Sequence, residues 1–206
     1  MLKKGYLLSL LCLLLPACTQ VAHTVTCKQI APEVAAAGLQ PDSWYVYMPK
    51  HAPGFCLLTR RAVVWYDPEM HLGSWCARHE RPPYRVMMEA RDSLFVLHRR
   101  YTWDGMSWGC TYPRDLMPTL LHDALYHALQ VGAPFPRREA DRAFLRARRQ
   151  LNVPTAYGEY LCIRAFAGTF SAIWGDPCMS MEILPPDAPL TPLEKDRPEP
   201  LAGEKE

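Results

Sequence analysis

No Cys-x-x-Cys pair occurs anywhere in the 206 residues, so the paired-thiolate spacing of most structural zinc sites is missing. An excess of charge is missing too. The formal charge of +2 includes Lys3 and Lys4, which lie in a leader expected to be removed, and the mature chain is then left near neutral. Nothing in that balance argues for a nucleic-acid partner. The apolar run over residues 6–15 is too short to span a bilayer as a permanent helix. What is present is an apolar fraction of 49%, enough for the core of one domain of ordinary size with tails.

Residues 1–17 read as an export signal, with Lys3 and Lys4 as a basic start ahead of the apolar run. The run ends in Leu15-Pro16-Ala17-Cys18, which resembles the bacterial lipobox. That resemblance implies lipidation of Cys18 and, with Thr19 after it, the outer membrane facing the periplasm. Cleavage nearby with an unmodified Cys18 is the alternative. Several acyl chains give stable anchoring through buried methylenes. Six cysteines then remain: Cys27, Cys56, Cys76, Cys110, Cys162 and Cys178. An even number in an oxidising compartment points to disulfides, of undetermined pairing, ahead of a zinc site.

Residues 18–40 are polar and small, suited to a tether, with Cys27 pinning its far end. Strand-like runs rich in β-branched and aromatic residues follow at 44–48, 55–66, 84–90 and 94–100. Arg91-Asp92-Ser93 has the composition of a hairpin turn, and residues 72–83 read as loop. From Met117 the apolar period becomes helical, over 117–131, 137–151 and 157–174. Arg138, Arg142, Arg146 and Arg149 make a basic stripe on the second helix, read as a solvated face. The third helix is apolar on nearly every side, which places it centrally. Residues 185–206 are proline-rich and without an apolar period, and read as a disordered tail. The expected architecture is a single α+β domain over 41–184: a small antiparallel sheet from the first half, packed on a three-helix unit from the second and cross-linked by disulfides.

The densest chemistry lies between Trp103 and Tyr126. His122 and Tyr126 are four apart on one helical face, and Asp123 adjoins them. Asp141, on the next helix, can face His122 if the two helices are antiparallel. A carboxylate there would hold the imidazole in one tautomer and leave His122 as a general base. Asp123, Asp104 and the carbonyls of Gly105 and Gly109 offer oxygen ligands of the kind calcium takes, with Ser107 in the same loop. The other reading of the same residues is a buried polar network that locks two helices together.

Two resemblances bear on this. Trp103-Asp104-Gly105-x-Ser107, His122-Asp123-x-Leu125-Tyr126 and Ala140-Asp141-x-x-Phe144, with Arg164 and Gly168 on a third helix, resemble the prophage-associated family catalogued as domain of unknown function 1353. It spans roughly residues 84–175, and the sequence departs from it at Trp108-Gly109-Cys110, where that family has a proline after the serine. That family implies no activity. Pro113-x-Asp115, the His122-Asp123 pair with Tyr126, and Asp141 on the following helix are similar to secreted phospholipase A2. This similarity implies His122 as base, Asp123 as calcium ligand and Asp141 as supporter. Leu120-Leu121 stand where that family has cysteines. Two functions stay open: a calcium-assisted hydrolase of envelope lipids or other esters, and a non-enzymatic lipoprotein that binds an envelope or phage-derived component.

Overall fold

A computed structural model describes residues 29–49, 55–80, 85–105, 110–174 and 181–184. Its architecture is α+β, with two antiparallel sheets and four helices among the described residues. Strands β4 (Val63–Tyr66), β5 (Ser74–His79), β6 (Val86–Arg91), β7 (Leu94–Leu97) and β10 (Met181–Leu184) form a five-stranded sheet in the order β10-β5-β6-β7-β4. A second sheet joins β2 (Tyr45–Pro49), β3 (Phe55–Thr59) and β8 (Thr102–Trp103). The short strands β1 (Gln29–Ile30) and β9 (Cys110–Thr111) pair in parallel.

Register explains the inner face of the larger sheet. Trp75, Ala90, Phe95 and Trp65 lie in one cross-strand row, and Ala77, Met88, Leu97 and Val63 in the next. Because alternate side chains share a face, both rows point the same way. Helix α2 (Leu116–Gln130) covers them with Met117, Leu120 and Leu121. Phe135, on the link after α2, stacks on Trp75 at 5.7 Å. Helix α3 (Arg137–Gln150) packs on α2, and α4 (Ala156–Trp174) packs on α3.

Several sequence expectations are revised here. The run read at 55–66 is two strands in different sheets, separated where Arg60 reaches the carbonyls of Gln40 and Pro41 and Arg61 that of Asp42. Buried Thr59 ties the sheets together, donating to the His98 carbonyl (3.2 Å) and accepting from the Tyr101 amide (3.0 Å). Residues 72–83, read as loop, contain the interior strand β5, and a register shift at Ala77/Arg78 breaks its alternation. The stretch read as a tether, 18–40, holds from Gln29 onward a strand and the helix α1 (Pro32–Gly38), whose Val34 is a core residue beside Ala31. Proline at its first turn and small residues along it favour that helix. Helix α4 was expected to be central, yet Tyr157 and Leu161 are exposed.

Disulfide cross-linking is not found among the described residues. Cys76 and Cys162 are free thiols, and no bond joins either to Cys56. The three lie on separate elements, β3, β5 and α4. Burial beside Glu89 pushes the Cys76 thiol up to about 11, so it is an inert core thiol. Cys18, Cys27 and Cys178 lie outside the described residues, as do the leader and the tail 185–206.

Gly38 closes α1 against β2. A Cβ there would sit 2.8 Å from Tyr45 Cε2 and from Tyr47 Cβ, while Tyr45 Oη donates to the Val34 carbonyl at 2.8 Å. Gly38→Ala is expected to lower stability by about 1–3 kcal/mol, the usual effect of overpacking. Urea unfolding checks this, and an unchanged midpoint would mean that α1 can shift freely.

Candidate functional site

The short link through Gly132, whose φ of +95° suits glycine, folds α3 back on α2. This brings His122 of α2 opposite Asp141 of α3, as the spacing of the two elements predicted. His122 Nε2 lies 3.6 Å from Asp141 Oδ1, and Nδ1 lies 3.7 Å from Asp123 Oδ1. Both separations are ion-pair distances beyond hydrogen bonding, and Nε2 is buried with no hydrogen-bond partner. The ring rests against Tyr126 at 4.3 Å and meets Phe144 edge-on at 5.2 Å.

Asp141 is the hub. Its side chain is 0% exposed, against 14% for His122 and 26% for Asp123. Tyr126 Oη donates to its Oδ1 at 2.6 Å, and Arg164 Nη1 of α4 donates to Oδ2 at 2.8 Å. Arg137, one turn before Asp141, donates through Nε to Tyr126 Oη (2.7 Å) and through Nη2 to the Ile163 carbonyl (2.8 Å). Three helices therefore meet at one buried carboxylate.

The electrostatics follow from that packing. Burial works against charge on His122, but the carboxylates of Asp123 and Asp141 outweigh it and raise the imidazole above its ordinary value. Burial likewise opposes ionisation of Asp141, and His122, Arg164 and Tyr126 outweigh it, holding the carboxyl below the usual range. Burial and Asp141 push the Tyr126 hydroxyl upward, so it stays a donor.

A depressed carboxylate contributes stability that is complete above its unfolded value of about 3.9 and lost as pH falls through the lower folded value. The thermal midpoint is therefore expected to drop below about pH 4, and Asp141→Asn should flatten that slope. Equal acid slopes in the two proteins would remove Asp141 as the group responsible.

The proposed calcium ligands are only partly in view. Asp104 is half-buried at the end of β8, and buried Gly105 has φ +72°, the left-handed conformation expected of a loop glycine. Ser107 and Gly109 lie outside the described residues. No three His, Cys, Asp or Glu side chains converge as a metal-holding group among the described residues. Asp123 is the carboxylate of this set adjoining the imidazole.

Sequence reasoning missed Arg137 and a second buried hub. Arg137 was discoverable, since it stands four residues before Asp141 on one helix face. In the second hub Arg148 of α3 bridges Asp115, at the entry to α2, and Glu159 of α4 at 2.7 Å through both Nε and Nη2. Arg148 was passed over among the arginines of that helix. Of the stripe itself, Arg146 pairs with Asp67, Arg142 and Arg138 both lie within ion-pair distance of Glu139 (3.2 and 3.8 Å), and Arg149 is exposed.

Comparison with known proteins adds no family. No protein-family model, curated protein or solved structure matches this chain. The site must therefore be judged on its own geometry.

Proposed function

We propose that the chain is an exported lipoprotein whose α2–α3 pair carries a hydrolytic centre for lipid or other envelope esters, with His122 as general base. One observation carries this reading. The buried carboxylate of Asp141 stands at Nε2 of His122, leaving Nδ1 toward the partly exposed Asp123 side. A carboxylate so placed would stabilise, through its charge, the imidazolium that forms when Nδ1 takes a proton from an attacking water. Tyr126 and Arg164 hold that carboxylate still, so α2, α3 and α4 work as one three-helix unit. The same relation of residues is what similarity to secreted phospholipase A2 implies. Calcium held by Asp123 with Asp104 and the carbonyls of Gly105 and Gly109 would polarise the ester carbonyl.

A second reading is favoured by a specific feature. Both oxygens of Asp141 already accept short hydrogen bonds, and Tyr126, Arg137 and Arg164 are committed to one another. Such a set is also a brace for three helices in a non-enzymatic envelope or phage-related lipoprotein. The discriminating experiment is fatty-acid release from phospholipid dispersions with calcium and then with chelator. Release that stops on chelation and returns with calcium supports the hydrolase. Absence of release at every calcium concentration leaves the brace, and a calorimetric titration flat at millimolar calcium removes the metal.

A further inference from the structure

Over its first turns α4 faces outward with the wrong side. Tyr157, Gly158, Leu161, Arg164 and Ala165 are exposed, at steps of one, three, three and one residues, which is a single helical stripe. Tyr157 and Leu161 are 61% and 55% exposed, and nothing lies within 4 Å of where a Gly158 Cβ would stand. The helix's own carboxylate, Glu159, turns the other way to meet Arg148. The stripe thus carries an aromatic, an aliphatic and a cation, with no acidic residue among the described residues, an inversion of the polar-out pattern of a solvated helix.

We propose that this face of α4 docks on an anionic phospholipid surface, laying Tyr157 and Leu161 into the headgroup boundary with Arg164 beside the phosphates. Charge selects this occupant. An apolar stripe bearing only a cation complements a negative surface, and tyrosine rings favour the boundary between apolar and wet layers. Arg164 has a side chain 41% exposed while one nitrogen holds Asp141, so it can face phosphate without leaving its partner. The helix lies on the surface and does not cross it, since no described helix is long and apolar enough to span a bilayer. The proposal does not depend on hydrolysis at His122, and its test reads lipid contact alone.

The whole chain is placed with phosphatidylglycerol nanodiscs containing a headgroup spin label, and leucine and isoleucine methyl signals are followed. Leu161 should broaden while core Leu125 stays sharp, and phosphatidylcholine discs should give little broadening. Tyr157→Glu with Leu161→Glu should release α4 from the disc, seen as lost broadening of methyls on the same stripe's neighbour Ile163, with an unchanged circular dichroism spectrum. A sharp Leu161 signal in anionic discs overturns the proposal, as does equal broadening in both lipids. Sedimentation provides the remaining arm: a wild-type dimer that the double variant converts to monomer would assign the face to a second copy instead.

Discussion

If His122 is the proposed general base, His122→Ala is expected to lower ester hydrolysis by about two to four powers of ten while the chain stays folded. The argument is geometric. Removing the ring takes away the proton acceptor but leaves Asp141 with its donors from Tyr126 and Arg164. Asp141 is therefore not stranded as an unpaired buried charge, which is what makes loss of a buried partner expensive elsewhere. His122 contributes no hydrogen bond to the hub, since Nε2 stands 3.6 Å away. The thermal midpoint should fall modestly, from the cavity beside Tyr126 and Phe144. Paired kinetics and melting curves check this. A large fall in midpoint in a protein whose wild type hydrolyses nothing would leave only the brace.

The largest loss of stability is expected from Arg148→Ala, about 3–5 kcal/mol. Arg148 and Asp115 are each 2% exposed and in direct contact, and Glu159 closes the other side of the guanidinium. Truncation leaves Asp115 charged and buried, with only the exposed Arg114 at 4.0 Å as a cation, at the point where the 3₁₀ turn Pro113–Asp115 enters α2. Asp115 also accepts from the Tyr112 amide at 2.9 Å, so its disturbance unseats the helix start. Arg148→Met combined with Asp115→Asn should recover much of the loss, because a neutral pair no longer carries the desolvation penalty. Urea midpoints measure both. An Arg148→Ala protein within about 1 kcal/mol of wild type would mean that water replaces the guanidinium.

What could be read from the residues alone follows the physics of each element. Helices α2 and α3 were legible because their apolar period is strong and their link short. Thus His122, Asp123, Tyr126 and Asp141 could be brought together in advance. The hairpin at Arg91-Asp92-Ser93 was legible from turn chemistry, and Asp92 takes φ +52° there. Strand β5 was not, because it is buried on account of its neighbours β10 and β6 and its bulge hides the alternation. Two sheets were compressed into one, since nothing local to residues 55–66 announces that the chain changes sheet at Arg60. Arg164 carried no signal of its partner: a contact 23 residues away in sequence depends on how α4 docks.

The parallel pairing of Gln29 with Cys110 has a geometric corollary. It stitches the chain's entry into the domain directly onto the strand that follows residues 106–109. About 11 residues separate Cys18 from Gln29, and covalent geometry limits any path they take to roughly 40 Å. A fatty acid on Cys18, if the proposed lipidation holds, would then act as a short leash fastened beside β9, keeping His122 within a few nanometres of the bilayer in every orientation the domain samples.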